Sequence, residues 1–318
     1  MYYFFVLLYF LLKNYLFYDA LLFIILYFYY YFDLLLLYIE QPFYYHVKIV
    51  KPIFIFGFPR SATTAFHESL YNSTKICSLT MYDTSLKSNI MKFIFEIFKL
   101  DLFIDYIINK QSTSGHRANK NRLNEEHMIL FRTIILAIPS LIIVVPQNIL
   151  LNLCKINKND MNIIKMVISR KIKKDEIFVG KSLLLDPYLD EYKKVFPDMI
   201  KIYCKRDFKK CFKSLITLSY NMSKIKNNYI NESNFDIFID NHYNLFIIKT
   251  RKGIENIDFD YTIDFIEWCN NPIDQLEIII QKFNLQRYKN IIEYKDGKSI
   301  PLPKELLDIY ENYIKNVI

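Results

Sequence analysis

KPIFIFGFPRSATTAFHESL, residues 51–70, reads as a strand, a tight loop and a helix. Ile53 to Phe56 is a short apolar run without alternation, as a strand covered on both faces requires. Gly57 follows at once, then Phe58-Pro59-Arg60-Ser61, and an amphipathic segment begins near Thr63-Thr64. Such a loop gathers backbone N–H groups and a helix N-terminus around one point, which suits an anion. Arg60, Ser61, Thr63 and Thr64 add a cation and three hydroxyls, so a phosphate or a sulfate is the expected guest.

The loop departs from the nucleoside-triphosphate pattern G-x-x-x-x-G-K-[ST]. Counting from Gly57, the second glycine is replaced by Ala62 and the lysine by Thr63. A nucleotide kinase would need that lysine and a magnesium-binding acid after a strand, and neither is evident.

A second strand, loop and helix follow at Ile200 to Cys204, Lys205-Arg206-Asp207 and Phe208 onward, with Ser214 eight residues after Arg206. Parallel strands bind ligands at their carboxyl ends, so two such loops would face one ligand carrying two phosphates. Between them, Ile177 to Gly180 reads as a further strand followed by Lys181-Ser182, and Tyr261 to Phe265 as a last one. Helices are expected over Asn89 to Ile108, from Asn124 to Pro139, over Asn152 to Lys174, Asp190 to Phe196 and Asp236 to Ile248, and from Pro272 to Phe283; Thr80 to Ser88 reads as a loop. Alternating apolar strands and helices predict a parallel α/β sheet with helices on both faces.

These residues resemble the sulfotransferases that use 3′-phosphoadenosine-5′-phosphosulfate (PAPS). Arg60-Ser61-Ala62-Thr63-Thr64 matches the family loop [RK]-S-G-T-T at four of five positions, and Arg206, Asp207 and Ser214 match R-D-P-x-x-x-x-x-S with Phe208 in place of proline. Phe196-Pro197-Asp198, Val179-Gly180-Lys181-Ser182 and residues 263–272 resemble further family segments in the same order. The resemblance covers about residues 50–285. It implies an α/β, P-loop-like three-layer fold with a central parallel sheet flanked by helices. It also implies that PAPS is the co-substrate, that no metal is required, and that the sulfuryl group passes to a hydroxyl or amine. Arg60, Ser61, Ala62, Thr63 and Thr64 would then hold the 5′-phosphosulfate, Arg206 and Ser214 the 3′-phosphate, and Lys181 would add charge near the reacting end. Ala62 is the departure that matters: if the position needs φ > 0, alanine costs about 1 kcal/mol or more. A catalytically degenerate, membrane-associated nucleotide-binding protein of the same fold is therefore the alternative.

A general base is needed for the acceptor proton. His116 lies in a polar loop between Gly115 and Arg117, and an imidazole titrates in the right range. Glu126, in the acidic run that follows, is the second candidate. His67 sits on the first helix and reads equally well as a packing residue.

The first 39 residues are apolar and aromatic, interrupted only by Lys13, Asp19 and Asp33. Leu21 to Ile39 is long enough for a bilayer, although Asp33 costs about 3 kcal/mol near a helix centre. Without a basic start and a small-residue cleavage site, a cleaved signal peptide is not expected. Residues 1–45 are read as membrane-associated or packing helices, single-pass or interfacial, with a cytoplasmic protein as the alternative. Residues 46–318 are read as a single α/β domain. The net charge of +8 fits an anionic ligand or surface. No zinc-finger or RNA-binding motif appears, so nucleic acid is not expected as a partner. Cys77, Cys154, Cys204, Cys211 and Cys269 form no C-x-x-C pair, which argues against a disulfide framework or structural zinc. The acceptor is left open among lipid, glycan, protein and small alcohol.

Overall fold

The computed structural model describes residues 2–13, 17–44, 46–100, 121, 123–124, 126–130, 145–146, 148–149, 156–182, 189–225, 230–255, 257–288 and 301–317. Helices α1 (Tyr2–Lys13) and α2 (Phe17–Tyr44) precede strand β1 (Ile53–Gly57), helix α3 (Thr63–Ser73) and the short β2 (Ile76–Cys77). Helices α4 (Met81–Ser85), α5 (Asn89–Ile97) and α6 (Lys158–Lys171) come next, then β3 (Ile177–Ser182), α7 (Leu189–Val195) and β4 (Ile200–Lys205). The chain continues with α8 (Phe208–Ile225), α9 (Phe235–His242), a π-helical turn over Tyr243–Ile248 and α10 (Lys249–Glu255). It ends with β5 (Tyr261–Asp264), α11 (Phe265–Asn270), α12 (Pro272–Lys282) and α13 (Lys304–Val317).

The five strands form one sheet in the order β2-β3-β1-β4-β5, and every pairing is parallel. β1 is central because its side chains are apolar in both directions. Phe54 and Phe56 join a core with Phe178, Tyr192 and Phe196 on one face, while Ile53 and Ile55 join Phe66, Trp268 and Leu276 on the other. All four are at most 2% exposed. The register sets Phe56 beside Ser182 and Tyr203, and Gly57 beside Cys204. The carboxyl ends of β1, β3 and β4 are therefore level, and whatever follows them shares one edge of the sheet.

Several elements differ from the sequence expectation. The segment Thr80 to Ser88 is not a loop throughout: Thr80 caps α4 by accepting from the Asp83 amide while Asp83 accepts from the Thr80 amide. The Asn124 side chain donates to Thr84 Oγ1 at 2.7 Å, and the described residues that follow, Glu126–Ile129, form a 3₁₀ turn; the rest of the helix expected up to Pro139 lies outside the described residues, apart from Leu130. The run from Asp236 is helical but passes through the π turn, and α13 lies beyond the expected elements.

Asp33 has a specific place. It is fully buried against the segment before α5, where it accepts from the amides of Lys87 at 2.6 Å and Ser88 at 3.0 Å and from Lys87 Nζ at 3.3 Å. About two turns further on, Glu40 accepts from the amides of Asn89 at 2.9 Å and Ile90 at 2.5 Å. These are first-turn donors that a helix leaves unpaired, so α2 caps α5 from outside. Leu37, between the two acids, belongs to the same core as Phe54.

Candidate functional site

The loop after β1 is built from backbone first. Gly57 has no room for a side chain: a Cβ there would overlap Ser61 Oγ and would lie 2.9 Å from Thr63 Cγ2 and 3.0 Å from the Cys204 carbonyl. The loop then turns tightly, with the Ser61 amide donating to the Phe58 carbonyl at 3.1 Å. Arg60 and Ala62 both take left-handed backbone, at φ 72° and φ 68°. Left-handed residues flanking Ser61 make a concave run of amides. Ala62 is also the residue before α3, and its carbonyl accepts from the Phe66 amide at 3.0 Å. The first amides of α3 have no intrahelical acceptor and carry the positive end of its dipole. Position 62 thus sits at φ > 0, which glycine would take freely and alanine occupies under strain.

Side chains from two further strand ends and from helix α8 then meet this loop. Lys181, on β3 and 7% exposed, donates from Nζ to Thr64 Oγ1 at 2.8 Å. Arg60 Nε donates to Ser214 Oγ on α8 at 3.1 Å. Arg206, just after β4, donates from its guanidinium to the Arg60 carbonyl. Its guanidinium lies over the Phe265 ring, 3.9 Å from the centroid, where the ring face attracts a cation. Lys181 thus meets Thr64 at one end of the loop, and Arg206, Arg60 and Ser214 form a linked set at the other. Ser61 Oγ, Ser182 Oγ and Arg206 Nε are buried and have no hydrogen-bond partner among the described residues. Buried polar atoms are normally satisfied, so three such atoms in one region fit an anion with several acceptor oxygens.

Neither cysteine beside the two loops, Cys204 or Cys211, is set up as a nucleophile. Burial pushes the Cys204 thiol far above its ordinary value despite the nearby Lys181, and it pushes Cys211 up to about 12. Both remain thiols at neutral pH, and the thiolate is the reactive form. Among the described residues no group of three or more His, Cys, Asp and Glu is arranged to hold a metal ion.

His67 is not near this chemistry. It is 1% exposed, and its Nε2 lies 3.0 Å from Ser78 Oγ and 3.2 Å from the Val179 carbonyl, tying α3 to the sheet. His116 lies outside the described residues, and Glu126 is described only as the first residue of the 3₁₀ turn. Sequence reasoning gave no role to Ser182, Gly57 or Phe265. Ser182 follows Lys181 in the segment already singled out, so its signal was present. The other two act through packing that no spacing reveals.

A parallel α/β sheet here carries two cation-bearing loops at the carboxyl ends of adjacent strands, the edge at which α/β sheets commonly bind ligands. The profile of the Sulfotransferase family matches residues 52–288, and the chain belongs to that family. Two solved structures share the fold. Sulfotransferase STF1 from Mycobacterium tuberculosis H37Rv superposes with a TM-score of 0.59 at 14% identity, covering 86% of this chain and 74% of that one. Sulfotransferase STF9 from Mycobacterium avium gives 0.56 at 14% identity, covering 87% and 71%. Among curated protein sequences none matches.

Proposed function

We propose that this chain transfers the sulfuryl group of PAPS to a hydroxyl or amine acceptor. The observation that carries this reading is the cross-link between the two loops: Arg206 donates to the Arg60 carbonyl while Arg60 reaches Ser214. Family membership supports PAPS as the donor, since sulfotransferases generally use it. The unsatisfied Ser61 Oγ, Ser182 Oγ and Arg206 Nε, and the cradle that a Cβ at Gly57 would fill, fit a ligand with phosphate groups.

In this reading the α3 amides, Ser61, Ala62, Thr63 and Thr64 hold the 5′-phosphate, and Arg60 and Lys181 neutralise charge that builds on the leaving phosphate oxygen. Arg206 and Ser214 anchor the 3′-phosphate. His116 takes the proton of the attacking hydroxyl, with Glu126 as the second candidate base. The S–O bond to the phosphate breaks as the bond to the acceptor oxygen forms, and the proton leaves on the base. The residues proposed here supply cations and amides for an in-line transfer without a covalent enzyme intermediate. The acceptor is a lipid, glycan, protein or small alcohol, and the apolar N-terminal helices associate with a membrane.

The strained Ala62 favours a second reading, a protein of the same fold that binds the nucleotide without transfer. Calorimetric titration with adenosine 3′,5′-bisphosphate, ATP and GTP tests both. The expected result is micromolar binding of the bisphosphate, weak binding of the triphosphates, and a loss of more than tenfold in Arg206→Ala. Unchanged affinity in that variant would remove Arg206 from the site. Tight binding without turnover on any acceptor class would move the second reading forward.

A further inference from the structure

The helix α2 is amphipathic the wrong way round for a protein surrounded by water. Two of its acids, Asp33 and Glu40, point inward and are 0% and 5% exposed. Its outer face carries Leu21, Ile25, Phe28, Phe32, Leu35 and Ile39, each between 52% and 67% exposed. At about 100° per residue these six fall within about 80° of one another, a single uncharged stripe. A water-facing helix has the opposite arrangement.

The stripe does not stand alone. α5 packs beside α2 and presents Phe93, Ile97 and Phe98 at 56–68% exposure. The six side chains of the α2 stripe alone expose roughly 700 Å², against the ~300–600 Å² of the largest patch on a typical monomer, and α5 adds exposed apolar side chains of its own. Tyr31 and Tyr38 flank the stripe at 46% and 45% exposure, and amphipathic rings of this kind favour a membrane–water boundary. Exposed lysines sit at both ends: Lys13 closes α1, Lys48 and Lys51 follow α2, and Lys99 follows Phe98. Glu96 is the one exposed acid on α5.

We propose that this face seats the protein on a lipid surface bearing anionic headgroups, with α2 lying in the plane of the interface. The helix is long and apolar enough to cross a bilayer over Phe23–Tyr44. It is, however, fixed along its inner side to the domain through Tyr29, Asp33, Glu40 and Tyr44, which bond to residues 85–90. Crossing would carry those residues and their hydrogen bonds into hydrocarbon. Lying flat, the outer stripe enters ~5–10 Å and the terminal lysines meet headgroups. Self-association through the same stripe is disfavoured by charge, because either pairing direction sets lysine-bearing ends against each other.

Flotation of the full chain on vesicles tests the proposal independently of the donor. The protein is expected to float with phosphatidylcholine vesicles containing phosphatidylserine, and less with phosphatidylcholine alone. The variant carrying Leu21→Gln, Ile25→Gln, Phe28→Gln and Leu35→Gln is expected to float at least tenfold less, with an unchanged melting midpoint. If that variant unfolds, Phe28→Gln alone is expected to weaken flotation with folding retained. Trypsin added outside the vesicles should cut at both Lys13 and Lys48. Four results would overturn the proposal: no flotation of the parent protein, equal flotation of the variants, protection of Lys13 from trypsin, or a vesicle-free dimer that the substitutions convert to monomer.

Discussion

Ala62 concentrates the cost of the site in one residue. Its φ of 68° is available to glycine without penalty and to alanine only under strain. Ala62→Gly is therefore expected to stabilise the fold by about 1 kcal/mol, offset in part by the greater freedom of the unfolded chain. Chemical denaturation reads the difference, and a destabilised variant would mean the Cβ packs more favourably than the backbone strains. The residue types of the site were legible beforehand because cations and hydroxyls at strand ends imply an anion. The conformation at Ala62 was not, since it depends on how α3 leaves the loop. The connection of Arg60 to Ser214, 154 positions apart, was likewise hidden, because sequence spacing says nothing about which strand ends are level.

At the scale of elements, the buried pair of Asp33 and Lys87 ties α2 to α5. Asp33→Ala leaves the Lys87 ammonium and two amides without their acceptor and is expected to cost about 3–5 kcal/mol. Lys87→Met added to Asp33→Ala should recover a part of that loss, and thermal melts of the two variants compare them directly. The π turn supplies a second test. His242 ends α9, is fully buried between Phe238 and Phe246, and burial pulls its imidazole down to about 4. The unfolded chain then binds a proton that the folded one refuses, so stability is complete above the ordinary histidine value near 6.5 and falls as pH drops towards about 4. The loss is on the order of 3 kcal/mol, and His242→Gln should flatten that part of the pH profile. Elements with strong periodicity, such as α12 with Pro272 in its first turn, matched their expected bounds closely. The two-residue β2 and the short α4 did not announce themselves, because so few residues carry no period.

For the molecule as a whole, the N-terminal helices are packed against the domain they precede. Leu37 shares a core with Phe54 and Phe178, and the inner acids of α2 cap α5. Removing residues 1–44 would uncover that core and leave α5 without its cap, so the shortened chain is expected to be insoluble or to melt far below the full one. A soluble truncation with the parent melting curve would show the packing to be dispensable. The parallel sheet was legible because apolar strands alternated with helices. The inward turn of Asp33 was not, since an acid in an apolar run looks like a penalty until its partner is known.

Synthesis proceeds from the N-terminus, so α2 exists before the residues that hold it. Asp33 waits for Lys87, 54 positions later, which at about 5–20 residues per second is roughly 3–10 s. During that interval its acids lack their partners, and α1 is the one earlier helix of its own chain available to cover it. The newborn helix has ordinary amphipathic polarity, and folding reverses it by drawing the acids inside. A chaperone or a lipid surface can therefore meet α2 before its own domain does, and the order of those encounters sets which side of the helix is committed first.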